Sequence, residues 1–250
     1  MIISSHKNER IKFVKSLIAD KKVRNESGLF VAEGINFVCD MHSKCELHSV
    51  YYTSAAAEKD KVGRFLASVN CERFEVTDSV MCAMSDTVSP SGLLAVVKTP
   101  EKSETSAKKI VVLDGVSDPG NVGTIIRTAA AFGFGAVIGG EEIDFYSPKI
   151  VRSTMTGILS VDLVNKELSV ALDELNKSGY ATIALDMNGT NITDIKKPDK
   201  VALIVGSEAH GISEGTKQRA SVIASIPMSG AVESLNAAVA ACVAMYELTR

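Results

Sequence analysis

Hydrophobic and polar positions change their period about every ten residues along this chain. Helical spacing predicts an amphipathic helix over Glu9–Ala19, followed by a short strand at Leu29–Val31 and a helix at Ile35–Met41. Ser49–Thr53 then reads as a strand, Glu58–Val69 as a helix and Arg73–Val76 as a strand. A short helix at Ser79–Met84 precedes a closing strand at Leu93–Val97. Strands alternating with helices argue for a small α/β or α+β layer domain.

After a polar interval the alternation becomes stricter. Strands are expected at Ile110–Leu113, Ala136–Ile138, Thr182–Leu185, Val201–Val205 and Val222–Ile226. Helical patterns lie between them at Val122–Ala131, Ser147–Thr154, Leu168–Lys177 and Ser213–Ala220, with a long final one at Ser234–Glu247. Several of these strands, such as Val201–Gly206, are apolar runs without alternation. That pattern is expected of a parallel sheet covered by helices on both faces. The interval itself, residues 99–109, is rich in Ser, Thr, Lys and Glu and has no apolar period, so it reads as a linker. The expected organisation is a domain at 1–98, a linker at 99–109 and a second domain at 110–250.

Composition narrows the class. With 250 residues, 46% hydrophobic and 23% charged, the chain has globular proportions and room for one large or two modest domains. No apolar run reaches the length of about 18–20 residues that a membrane span needs. The charged first residues do not resemble a signal peptide, so a cytoplasmic location is expected. Five cysteines without a C-x-x-C pair fit reduced thiols better than a disulfide framework. The net charge of −3 argues against a generic nucleic-acid coat, yet residues 1–24 hold seven Lys/Arg against two acids, a local +5. Such a terminus is either a footprint for phosphate or the solvated face of a surface helix.

Candidate chemistry is concentrated in the second half. Cys39, His42, Cys45 and His48 recur at every third position, but they fall across one helix and the next strand, which disfavours a tetrahedral metal site. The glycines of residues 133–140 lack the G-x-G-x-x-G spacing of a dinucleotide loop and run into a strand, and no triphosphate-binding loop or G-x-S-x-G elbow is present. Three polar glycine segments remain. Residues 114–129 (DGVSDPGNVGTIIRTA) form a turn-rich loop and a helix, with Asn121 as a possible cap and Arg127 among apolar neighbours. Residues 205–211 (VGSEAHG) end a buried-type strand in a loop holding Glu208, and residues 226–236 (IPMSGAVESLN) end another, with Ser234 and Asn236 as cap candidates. Each has a plain structural reading. Together they place three polar loops at the strand ends of one sheet, where open α/β sheets bind ligands.

In this order the three segments resemble the motifs of the SpoU (TrmH-like) family of RNA ribose 2′-O-methyltransferases. The first matches through Asn121-Val-Gly123 and Arg127-Thr-Ala, the second through Gly206, Glu208 and Gly211. The third matches through Ile226-Pro-Met-x-Gly230 and Ser234-Leu-Asn236. The first 98 residues look like the L30-like substrate-binding domain of the ribosomal-RNA members. Departures occur at Ala130, where an acidic residue is frequent, and at Ala238, where a serine often follows the Ser-Leu-Asn.

The resemblance implies an α/β fold with a knotted parallel-sheet (SPOUT-type) methyltransferase domain behind a small L30-like α/β domain. It implies S-adenosylmethionine as cofactor, no metal, a homodimer and an RNA partner, ribosomal RNA before transfer RNA. By motif, the active-site positions are Arg127, Glu208, Ser234, Asn236 and Asn121. The cofactor positions are Gly206, Ile226, Leu235, Leu185, Met228 and Gly211. Phosphate contacts are expected from Lys12, Lys15, Lys21, Lys22 and Arg24 in the first domain. A catalytically silent RNA-binding protein on the same fold is the competing reading, and a Rossmann dinucleotide enzyme a distant third.

Overall fold

The computed structural model describes residues 2–100, 106–230 and 232–250. They divide into two compact units. One holds the described residues up to Pro100 together with Tyr146–Leu159, and the other holds the rest. Of the linker expected at 99–109, residues 101–105 lie outside the described residues.

The first unit runs α1 (Glu9–Ala19), α2 (Lys21–Ser27), β1 (Leu29–Glu33), α3 (Ile35–Met41), β2 (Leu47–Tyr52) and α4 (Ser54–Ala57). It continues with α5 (Asp60–Ser68), β3 (Glu72–Glu75), α6 (Asp78–Met84) and β4 (Leu93–Lys98). Its sheet has the order β1-β4-β2-β3, with β4 antiparallel to both neighbours and β2 parallel to β3. Helix α1 starts where the Asn8 side chain accepts from Arg10 N, and it buries Ile11, Val14 and Leu17 at helical spacing. Those residues pack with Val31, Val80, Met84, Leu94 and Val96 into one core.

Two expectations are corrected here. Arg24, expected to meet phosphate, is buried, and its Nη1 donates to the carbonyls of Leu17 and Ile18, the latter at 3.0 Å. It holds the α1–α2 corner by satisfying carbonyls left open at a helix end. The helix near Ser147–Thr154, read as part of the second domain, is α8 (Pro148–Thr154) and groups with the first unit. There the Tyr146 ring lies 4.9 Å from that of Phe30, and Arg152 pairs with Asp86 at 2.8 Å.

The second unit runs β5 (Lys109–Asp114), α7 (Pro119–Phe132), β6 (Ala136–Gly139), β7 (Asp162–Asn165), α9 (Leu168–Lys177) and β8 (Ala181–Asn191). It ends with β9 (Val201–Gly206), α10 (Glu214–Arg219), β10 (Val222–Ser225) and α11 (Ala237–Thr249). All its strands are parallel, in the order β10-β8-β9-β5-β6-β7. Strands β5 and β9 are buried almost end to end, which is why their sequences show no alternation. Strand β7 is not among the strands expected from periodicity, because four residues, half of them polar, carry too little of it. From β5 the chain builds toward β7 on one side and places β8, β9 and β10 on the other. The crevice between β5 and β9 is therefore the switch point of the sheet, with Asp114 paired beside Gly206 at its carboxyl edge.

Candidate active site

The loop after β5 is shaped by an Asp-Pro start. The Asp118 side chain caps α7 by accepting from Asn121 N at 2.9 Å, and Pro119 occupies the first turn, where a missing N–H costs nothing. Asp118 therefore takes the capping role that the sequence offered to Asn121, whose side chain is left for other contacts. Arg127 lies further along the same helix, exposed and without a hydrogen bond or ion pair among the described residues.

After β9 the chain makes a tight turn. Ser207 N and Gly211 O are 3.2 Å apart and Gly211 N and Ser207 O 2.8 Å, while Ser207 Oγ accepts from His210 N at 3.2 Å. This turn needs its glycines. A Cβ at Gly206 would overlap the backbone of Gly211 and Ile212, and Gly211 itself has φ of +65°. Glu208 stands exposed on the turn. The far end is fixed by the buried Asp114, whose Oδ2 accepts from Ser213 N at 2.7 Å.

The third loop ends at Asn236, which is the cap of α11. Its Oδ1 accepts from Ala238 N at 3.0 Å and Val239 N at 3.2 Å, so the helix begins three residues later than the sequence pattern placed it. Its Nδ2 donates to Asn121 Oδ1 at 3.1 Å, and Asn121 Nδ2 in turn donates to Glu208 Oε1. Asn236, Asn121 and Glu208 thus form one polar chain that joins all three loops. Ser234 stands exposed two residues before Asn236, with no hydrogen bond among the described residues.

Around this chain, Gly206, Ile226, Leu235 and Leu185 are partly buried, while Gly211 and Met228 are exposed. Gly206 ends β9, Ile226 follows β10, and Leu185 follows the last β8 residue paired with β9, Ala184. Backbone N–H and C=O groups of turns like these can hold a nucleoside without charged side chains. Leu185 opens a loop inside β8, whose pairing with β10 breaks register between Ile223 and Ala224. Within it, Asp186 Oδ1 accepts from Asn188 N at 3.0 Å and Oδ2 pairs with Lys217 Nζ at 3.1 Å. The Asn188 hydrogen bond first, and Lys217 after it, hold the Asp186 carboxyl below the usual carboxylate range. Asp114, Asp118, Asp186 and Lys217 belong to none of the three sequence motifs as site residues. Only Asp118, standing before a proline at a helix start, carried a local signal that could have found it.

In the first unit Lys12, Lys15 and Lys22 are exposed and Lys21 is half-buried. Lys12 pairs with Glu9 at 2.7 Å and Lys22 with Glu26 at 3.8 Å. The Cys39–His48 series has other work: His42 Nδ1 bonds Cys39 O at 2.7 Å, and Cys45 Sγ donates to Met41 O at 3.2 Å. Among the described residues no group of three His, Cys, Asp or Glu is placed to hold a metal ion, and no helix is long and apolar enough to cross a membrane.

Residues 108–246, which carry all three loops, match the SpoU rRNA Methylase family. The chain belongs to that family. As a SpoU methylase it is an RNA methyltransferase that uses S-adenosylmethionine. Residues 8–95 match the MRM3-like substrate binding domain. The chain is 31% identical over 251 residues to 23S rRNA (guanosine(2553)-2'-O)-methyltransferase RlmP of Bacillus subtilis (strain 168), covering 98% of each. Its fold is similar to that of the SpoU methyltransferase AviRb from Streptomyces viridochromogenes, solved in complex with AdoMet, with TM-score 0.88, 25% identity and 98% of each chain covered. It is also similar to an AdoMet-bound rRNA methyltransferase from Sinorhizobium meliloti, with TM-score 0.84, 26% identity, and 99% of this chain and 97% of that one covered.

Proposed function

We propose that this SpoU methylase transfers a methyl group to a ribose 2′-hydroxyl of 23S ribosomal RNA in the cytoplasm, with Arg127, Glu208, Ser234, Asn236 and Asn121 as its active-site groups. The observation that carries this reading is the Asn236–Asn121–Glu208 chain, which draws three polar loops together at the switch point of a parallel sheet. A 23S rRNA 2'-O-methyltransferase similar over 98% of both chains supports the substrate.

Gly206, Gly211, Leu185, Ile226, Met228 and Leu235 would hold S-adenosylmethionine. The crowding at Gly206 fits a site lined by backbone, because a side chain there is sterically excluded. When bound, S-adenosylmethionine supplies an activated methyl group on a sulfonium. The protein must then hold the 2′-oxygen in line with that methyl and assist loss of the hydroxyl proton. Among the described residues Arg127 has no partner to occupy its guanidinium, so it is available to the RNA. A guanidinium stays charged near pH 7, and its fork suits a bidentate grip on a phosphate. We therefore assign Arg127 to clamping the RNA phosphate that aligns the hydroxyl. Glu208 and Ser234 offer an acceptor and a hydroxyl for the reacting ribose, and Asn121 and Asn236 orient Glu208.

Residues 1–98 act in this reading as the RNA-recruiting domain, 99–109 as the linker, and 110–250, apart from the Tyr146–Leu159 segment that groups with the first unit, as the knotted methyltransferase domain. Lys12, Lys15, Lys21 and Lys22 contribute phosphate contacts.

The working form is a homodimer formed through α11. Val239, Val243 and Tyr246 form an exposed apolar stripe at helical spacing, at 48, 40 and 52% exposure. Helix α11 packs on α7, the Arg127 helix, through Thr128 with Cys242 and Phe132 with Tyr246. Light scattering at micromolar concentration should give twice the chain mass, and a Val243→Glu variant should give the monomer. A wild-type monomer would remove the dimer from the reading. Methyl transfer from labelled S-adenosylmethionine to unmodified 23S rRNA tests the activity itself.

A further inference from the structure

The loop that β8 throws out at Leu185–Gly189 is bound at two points. Asp186 is the residue that does both. Its Oδ1 accepts from Asn188 N at 3.0 Å, which closes the loop on itself, and its Oδ2 reaches Lys217 Nζ at 3.1 Å. Lys217 is not a loose surface lysine. It sits in the last turn of α10, whose first turn is capped by Ser213, and Ser213 N is held by the buried carboxylate of Asp114 at 2.7 Å. Helix α10 is therefore a strut with a carboxylate at each end, Asp114 from the end of β5 and Asp186 from the loop inside β8. Strand β9 and its Glu208 turn lie between those two strands in the sheet. Gly189 closes the loop against the Ile223–Ala224 backbone, where no side chain would fit.

We propose that Asp186 and Lys217 are a positioning pair that sets the β8 loop against the cofactor. The inference rests on the reading of Leu185 as a cofactor contact. Neither residue needs to touch S-adenosylmethionine. The pair restricts the loop to the conformation that presents Leu185 and the neighbouring backbone, so part of the ordering cost of binding is met before the cofactor arrives. Removing the pair should weaken cofactor binding and leave the methylation rate at saturating cofactor little changed, because no group of the Asn236–Asn121–Glu208 chain is lost.

Calorimetry with S-adenosylmethionine on the full-length protein tests this, alongside thermal melting and steady-state methylation. Lys217→Met and Asp186→Asn should each raise Kd by about three- to fivefold, the scale of a partly exposed ion pair. The double variant should be no worse than either single one, since both remove the same interaction. Lys217→Arg, which keeps the charge and reach, should restore affinity. Unchanged Kd in Lys217→Met, additive losses in the double variant, or a fall in melting temperature with Kd unchanged would each overturn the pair as a positioning device. If wild-type protein itself fails to bind S-adenosylmethionine, the cofactor reading falls as well. Binding by wild type and Lys217→Met alike removes the pair alone.

Discussion

The two edges of the six-stranded sheet both carry polar networks, and the networks differ in kind. At the amino edge, Thr182 and Ser221 bond each other through backbone and hydroxyl. Thr182 N donates to Ser221 Oγ at 2.8 Å and Ser221 N to Thr182 Oγ1 at 2.9 Å, while Thr182 Oγ1 also reaches Asn176 Oδ1 at 2.9 Å. Asn176 Nδ2 closes the set on Arg219 O at 2.9 Å. Thr182 is fully buried, so this network meets its own hydrogen-bonding needs away from water. At the carboxyl edge, Asn121, Glu208 and Asn236 are bonded to one another but remain open to solvent, and Ser234 has no partner among the described residues, nor has Arg127 two turns into α7. A closed network holds strands in place. An open one, ordered on its inner side and unsatisfied on its outer side, is what a ligand can complete.

That contrast predicts opposite consequences for substitutions at the two edges. The largest effect belongs to Arg127. Arg127→Ala and Arg127→Lys should each lower single-turnover methylation by about 10²–10⁴, the size of a positioning or acid–base contribution, with melting temperature unchanged. Cofactor binding by calorimetry should stay close to wild type. Near-normal turnover in the lysine variant would exclude the bidentate clamp, and near-normal turnover in the alanine variant would remove Arg127 from the site. At the other edge, Thr182→Val should cost about 1–3 kcal/mol of stability, because it leaves buried partners unpaired. Denaturant titration would show this, while methylation per folded molecule is retained. A loss of turnover there without a loss of stability would break the distinction.

Asn236 separates the two behaviours within one side chain. Asn236→Asp keeps the oxygen that caps α11 and drops the Nδ2 donor to Asn121, so stability should hold while methylation falls roughly three- to tenfold, the weight of one lost hydrogen bond. Equal losses in both would make Asn236 a cap and nothing more. The smallest effect is expected in the first unit. Changing Lys12, Lys15 and Lys22 together to Ala should flatten the salt dependence of RNA binding by about 0.7–0.9 in logarithmic slope per lost phosphate contact. Cofactor affinity should be unaffected. An unchanged slope would mean that these lysines are only a solvated helix face.

The legibility of the chain follows the range over which each feature is determined. The buried strands β5 and β9 and the amphipathic α1 declare themselves locally, through apolar runs or helical spacing, and Leu168–Lys177 and Ile35–Met41 form the helices expected of them. Strand β7 was invisible because its pairing with β6, not its composition, makes it a strand. The same holds for the site. The three loops were readable as motifs at strand ends, but the partners within them were not. That Asp118 and not Asn121 caps α7 depends on three residues of local geometry. That Asn121 then reaches Glu208 and Asn236 depends on contacts 87 and 115 residues away in sequence. Arg24 shows the reverse error: a basic residue in a basic segment looks like phosphate chemistry until its guanidinium is found on two carbonyls.

The activity proposed for the open network at the carboxyl edge is methylation of a ribose in ribosomal RNA. Mapping of 2′-O-methyl groups by resistance to alkaline cleavage tests it most directly, using 23S rRNA from cells with the protein, without it, and carrying Arg127→Ala. One nucleotide should be protected only where the wild-type protein is present. Identical maps in all three, or a methyl group found on a base in place of the ribose, would contradict it.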